Sequence, residues 1–227
     1  MDSMVVHFIR EAGWKLKLRE TATSTALVFY HKFKSAFTLE VNENTDHHLI
    51  AMAALYLASK TNEETHLKLS DIVNTCYRCL HKDKPPLEIG DMYWKLKDSV
   101  AAYELVLLRA LKFQTEIILP HKYLLHYFLV ISYWETEKLY TWNQVRQLAW
   151  CFLQDLFHTT LCVRHSPQLL ATTVLYLAMA CHGMQVEGRR MRRQWWEVFS
   201  PGCSEETLKE IGVELLSLYD DNTKHKQ

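Results

Sequence analysis

The chain has 227 residues, with 26 lysines and arginines balanced by 26 aspartates and glutamates, and 48% of its positions are apolar. Zero formal charge removes the electrostatic reason to expect nucleic acid or an anionic membrane as the main partner, and points to a protein partner instead. At this length two domains of roughly a hundred residues each are expected, both large enough to bury a core.

In chain order, Val5, Phe8, Ile9 and Ala12 fall at helical spacing, which predicts a short amphipathic helix over 3–12 ended by Gly13. The opening residues carry Asp2, His7 and Arg10 where a signal peptide needs an apolar run, so an intracellular protein of nucleus and/or cytoplasm is expected. Ala22, Ala26, Phe29, Tyr30, Phe33 and Phe37 make a core-facing stripe over 20–37.

From about Asp46 to Lys60 the sequence is apolar on every side of a helix, so that helix must be buried. It is too short, and too closely bounded by Asp46, His47, His48 and Lys60, to span a bilayer, which takes about 20 apolar residues. Its four alanines let neighbouring helices approach closely. A polar bend follows at 61–64. Ser70-Asp71 is expected to cap a helix through Tyr77, with an exposed loop at 82–86. Asp91 opens a long helix through Leu111, and Pro120 starts another through Tyr133.

In the second half, Thr141-x-x-Gln144 has the form of a capping box before a helix through Phe157. Ser166-Pro167 starts a second all-apolar helix, in which Leu169 to Ala180 repeats the Leu-x-Ala and Leu-Tyr-Leu-Ala elements of Leu49 to Lys60. This reads as an internal duplication. A basic run, Arg189-Arg190-Met191-Arg192-Arg193, leads into Trp195 and Trp196; Pro201-Gly202 turns the chain, and Ser204-Glu205-Glu206 starts a last helix. No segment alternates over a strand's length. The expected class is all-α: two bundles of about five helices each, the second shortened, preceded by a short N-terminal helix. The corresponding divisions are 1–19, 20–134 and 135–227.

Catalytic chemistry is missing from the sequence. Its six glycines are too scattered for a G-x-G-x-x-G or P-loop cradle, and neither H-E-x-x-H nor G-x-S-x-G occurs. The single C-x-x-C, Cys76 to Cys79, lacks a second pair at ligand spacing, and the other cysteines sit mostly in apolar helical patterns, as expected of reduced thiols. No metal and no cofactor are expected. Two charges stand out by position. Glu104 has Val100, Ala101, Leu107 and Leu108 as its helical neighbours, and a carboxylate so placed needs a partner. Lys60, the cation at the end of the most buried helix, is the natural candidate.

Lys60 after Leu-Tyr-Leu-Ala-Ser, Glu104 in a following helix, and the duplicated plan resemble the cyclins. Thr25 to Phe33 and Thr160 to Arg164 resemble the transcription-associated branch of that family, the T, K and L types. Pro120 to Tyr127 and Trp195 to Phe199 are similar to the cyclin Q (cyclin M) group. The resemblance implies two cyclin boxes and a non-catalytic subunit that binds and activates a cyclin-dependent kinase, of the cyclin-dependent kinase ten type. It implies that Lys60 and Glu104 form the kinase-binding pair, with Leu57, Thr61, Leu108 and Phe113 around them. It implies no small-molecule substrate. The bend Lys60-Thr61-Asn62-Glu63-Glu64 is one residue longer than the usual family pattern. The other reading of the same architecture is a general transcription factor or scaffold binding DNA or polymerase; the basic run favours it and the zero net charge weighs against it.

Overall fold

The computed structural model describes residues 2–36, 46–134, 139–184 and 194–224. Regular structure among them is entirely helical: α1 (Asp2–Lys15), α2 (Glu20–Ala36), α3 (His47–Thr61), α4 (Leu69–Leu80), α5 (Asp91–Ala110), α6 (Pro120–Trp134), α7 (Leu139–Leu156), α8 (Leu161–Arg164), α9 (Pro167–Cys181), α10 (Trp195–Phe199) and α11 (Glu205–Lys224). The chain divides into two compact units, 1–117 and 118–227.

In the first unit α3 is the axle. Asp46 starts it, its Oδ1 accepting from the backbone N–H groups of His48 at 2.9 Å and Leu49 at 3.4 Å. Ile50 to Leu55 and Leu57 to Ser59 are all buried, with α1, α2, α4 and α5 packed around them. The alanines at 51, 53, 54 and 58 keep those helices close. The expected short helix at 3–12 is longer than its sequence suggests and runs through Gly13, which therefore does not end it. A Cβ there would stand 2.7 Å from Thr23 Oγ1, so the glycine serves the close approach of α1 to α2. Val5, Val6, Phe8, Ile9, Ala12 and Leu16 all enter the core, which makes α1 an integral helix of this unit and not a lead-in. α4 starts at Leu69, with Asp71 inside it reaching back to accept from the Lys68 N–H at 2.9 Å. The start expected at Ser70-Asp71 is corrected accordingly.

The second unit repeats the plan around α9. Ser166 Oγ accepts from the Leu169 N–H at 3.3 Å and Pro167 occupies the first turn. α6, α7, α10 and α11 surround α9 as α1, α2, α4 and α5 surround α3. α6 therefore belongs here, although the sequence division at 134 placed it in the first half. Leu124, Tyr127, Phe128 and Ile131 are buried, and α6 packs on α9 and α7. α10 has five residues where α4 has twelve, and this is where the second repeat is shortened. Thr141 lies inside α7, which begins at Leu139, so the capping box read at 141–144 does not form. Gly212 of α11 sits against Leu177, whose Cδ2 would be 2.8 Å from an added Cβ: the counterpart of the Gly13 contact.

Candidate functional site

Lys60 is the first charge after the buried run of α3, and there the helix ends at a surface. Its Nζ donates to both carboxylate oxygens of Glu104 on α5, at 2.7 and 3.0 Å, and lies 4.0 Å from the centre of the Tyr56 ring. The ammonium side chain is 48% exposed while the carboxylate is 12% exposed. Partial burial works to lower the lysine pKa, but the hydrogen bond and charge of Glu104 outweigh it and the pKa is raised. The lysine is therefore held cationic, and the carboxylate, too enclosed to stand alone without a penalty, is matched.

Around the pair the side chains divide. Leu57, one turn earlier on α3, is 4% exposed and supports the surface from below. Thr61 is exposed, its hydroxyl donating to the Ala58 carbonyl at 3.1 Å. Leu108, one turn beyond Glu104, is half-buried, and Phe113 is 67% exposed. Lys112 and Phe113 both take left-handed backbone, at φ 52° and 59°, and the Phe113 N–H closes back onto the Leu108 carbonyl at 2.9 Å. Leu105 and Val106 of α5 are also exposed, which the sequence reading did not anticipate, with Val106 on the opposite side of the helix from Glu104. A signal for them was present. Tyr93, Val100 and Leu107 make the buried stripe of α5, and an apolar run that continues past such a stripe must leave part of itself outside.

The long bend after α3 is fixed by residues that sequence reasoning did not connect. Asn62 Nδ2 donates to the Ala58 carbonyl at 3.0 Å, and Glu63 takes the left-handed conformation at φ 56°. That turns Glu64 inward, where its side chain is 8% exposed. Its Oε1 accepts from Arg19 Nε at 2.7 Å and from the Arg19 backbone N–H at 3.2 Å, while Arg19 Nη2 also donates to the Asn62 carbonyl. Burial acts to raise the Glu64 pKa, but the Arg19 hydrogen bonds outweigh it and the pKa is lowered. The extra residue of the bend is thus absorbed by one left-handed turn and an arginine clamp.

Elsewhere the chemistry is quiet. Cys76 and Cys79 are buried and burial pushes both thiols up, the reverse of what a reactive or ligating thiolate needs. Among the described residues no three histidines, cysteines or carboxylates gather as a metal site, and no helix is long and apolar enough to cross a membrane. The run Arg189–Arg193 lies outside the described residues.

Over residues 1–116 the chain matches the family described as cyclin, N-terminal domain. It is 28% identical to cyclin-T1-3 of Arabidopsis thaliana, over 94% of this chain and 63% of that protein, and 28% identical to cyclin-K of Homo sapiens, over 93% and 35%. Cyclin-L2 of Mus musculus is 30% identical over 93% and 39%. The chain thus spans from about a third to just under two thirds of the length of these relatives. Among solved structures, a chain of the yeast RNA Pol II CTD kinase CTDK-1 complex superposes with a TM-score of 0.76 at 18% identity, over 96% of this chain and 64% of that one, a likeness of fold.

Proposed function

The chain belongs to the cyclin family; from that premise we propose that it is the non-catalytic regulatory subunit of a cyclin-dependent kinase. The observation that carries the proposal is the Lys60–Glu104 pair, which ties α3 to α5 beside the apolar side chains of Leu108, one turn further along α5, and Phe113. An interface of this kind draws affinity from its apolar anchors, while a bounded charge pair fixes register. Thr61 stands at its rim and Leu57 beneath it.

The kinase's mobile C-helix docks on this surface and is held inward. There its glutamate pairs with the phosphate-positioning lysine and the activation loop orders. The cyclin does no chemistry. It binds the active arrangement better than the inactive one and raises its population by that difference in affinity. For the partner we propose a kinase of the cyclin-dependent kinase ten type, in the nucleus. The support for this finer reading is the likeness of Pro120–Tyr127 and Trp195–Phe199 to the cyclin Q group, and the transcription-associated types among the relatives are in keeping with a nuclear site. A DNA- or polymerase-binding role draws no support from the overall charge balance.

Co-expression tests the reading. The tagged chain should retain a cyclin-dependent kinase through size exclusion and confer activity on it, and a ten-type kinase should be retained in preference to kinases of the polymerase-tail class. Retention of no cyclin-dependent kinase rejects the general proposal. Retention of a different one rejects only the type.

A further inference from the structure

The two central helices match in exposure residue by residue: positions 51–60 and 171–180 show the same order of buried, half-buried and exposed side chains. Tyr56 and Tyr176 are both half-buried, and four residues later Lys60 and Ala180 are both exposed. The chemistry differs. In the first unit the Lys60 ammonium lies over Tyr56 and binds a carboxylate. In the second the lysine position is alanine, and Ala180 lines an open cleft of about 370 Å³ together with Tyr176, Met179, Trp195, Trp196 and Glu205.

The walls of that cleft suit a cation. The Trp196 ring stands at 85° to the Tyr176 ring with centroids 5.6 Å apart, and at 81° to Trp195 at 5.7 Å, so edge-to-face rings line the cleft and a cation can lie against a ring face that the packing leaves open. Glu205, the first residue of α11, adds a carboxylate whose charge Lys209 partly balances from one side. Its Oε1 accepts from the Tyr176 hydroxyl at 2.8 Å and from Lys209 Nζ at 2.8 Å, while no described residue donates to Oε2. Among the described residues the ring-bound cations lie over Tyr56, Trp94 and Tyr123, and none lies over Tyr176 or Trp196.

We propose that this cleft receives an arginine side chain of a protein partner, its guanidinium lying against Tyr176 and Trp196 and donating to Oε2 of Glu205. Arginine fits better than lysine because its planar, weakly hydrated head stacks on aromatic rings while its N–H fork reaches a carboxylate, whereas an ammonium is a compact, strongly hydrated point charge. The site lies wholly in the second unit and stands whether or not the first binds a kinase.

The test uses the full chain labelled with nitrogen-15 at its tryptophan indoles, with the Trp196 resonance assigned through Trp196→Phe. It is titrated with the peptide acetyl-Gly-Arg-Gly-amide and with its neutral citrulline isostere. A saturable shift of the Trp196 indole is expected with the arginine peptide and none with citrulline. Glu205→Gln should weaken binding about tenfold, the scale of one charge-assisted contact. Ala180→Lys, which rebuilds the arrangement of the first unit, should abolish binding without lowering the melting temperature, and Ala180→Ser should bind as the parent does. Equal shifts with citrulline, no saturable shift, or undiminished binding by Ala180→Lys would overturn the proposal. So would a variant carrying Arg189→Gln, Arg190→Gln, Arg192→Gln and Arg193→Gln that moves the Trp196 resonance before peptide is added, since the arginine would then be the chain's own.

Discussion

The Glu104 carboxylate is far more enclosed than the ammonium that binds it, so the two residues fail differently when changed. Removing the lysine, as in Lys60→Met, strands an enclosed carboxylate and should cost about 1–3 kcal/mol of stability. Removing the acid, as in Glu104→Gln, leaves a half-exposed lysine to water and should cost less than about 1 kcal/mol. Kinase binding should respond more strongly. Lys60→Glu and Glu104→Lys should each weaken it by about 2–5 kcal/mol, the range for breaking one side of a hydrogen-bonded interfacial charge pair. Calorimetric titration with the kinase, beside thermal melts of the free chain, separates the two effects. Wild-type affinity in both reversals would remove this surface as the docking site. The pairing was legible in the sequence because each charge interrupts an apolar helical run. The Arg19–Glu64 clamp was not, since both residues sit among other polar groups and only the fold brings them together. Leu57 shows the opposite limit: a position one turn before Lys60 that the helix turns into the core.

The second unit buries a base. His121 on α6 lies between Phe157, stacked at 5.5 Å, and Trp150, edge-on at 5.4 Å, and neither ring nitrogen has a hydrogen-bond partner among the described residues. Burial lowers its pKa from 6.5 to about 4. The unfolded chain therefore takes up this proton first. The stabilisation from the neutral ring is complete above about pH 6.5 and is lost as pH falls toward 4. At about 1.36 kcal/mol per pKa unit the loss amounts to about 3 kcal/mol. Urea melts from pH 7.5 to 4 should show this slope in the parent and a shallower one in His121→Phe. An unchanged slope would mean that the imidazole is not the group responsible.

At the scale of elements, the central helices were legible almost to the residue, because a run apolar on all sides, bounded by Asp46 or Ser166 and a polar exit, has one physical solution. Helix ends set by packing were not. Gly13 looks like a terminator in the sequence and is a contact point in the fold, since glycine is needed both where a helix stops and where two helices touch. Adding a methyl there meets Thr23, a β-branched side chain with little freedom to move. Gly13→Ala should therefore destabilise by about 1–3 kcal/mol, despite alanine's better helix propensity. Pairing it with Thr23→Ala should recover most of the loss, as a double-mutant melt would show. Gly212→Ala should be milder, because the Leu177 tip it meets can change rotamer. A neutral Gly13→Ala would show that α1 can stand off from α2 without loss.

For the whole molecule, the duplication was readable from the repeated Leu-Tyr-Leu-Ala motif, but the point of division was not, since nothing in the composition of Pro120–Trp134 shows which half buries it. The fold does. A fragment of residues 1–117 should accordingly be soluble and melt cooperatively. A fragment of residues 1–134 would expose Leu124, Tyr127, Phe128 and Ile131 and should aggregate or lose the extra segment to protease. Removing residues 1–19 should unfold the first unit. The five large buried apolar side chains of that segment, Val5, Val6, Phe8, Ile9 and Leu16, at about 1.5–3 kcal/mol each, are comparable to the whole ~5–15 kcal/mol that holds a typical domain. Circular dichroism and limited proteolysis of the three fragments decide among these outcomes. The same division also sets an order in time. A ribosome adding about 5–20 residues per second needs on the order of ten seconds to make residues 118–227, whereas helical bundles with mainly local contacts fold in microseconds to milliseconds. The Lys60 surface is finished while the second half is still being translated, so under the proposed function a nascent chain would present it to a kinase before the protein has left the ribosome.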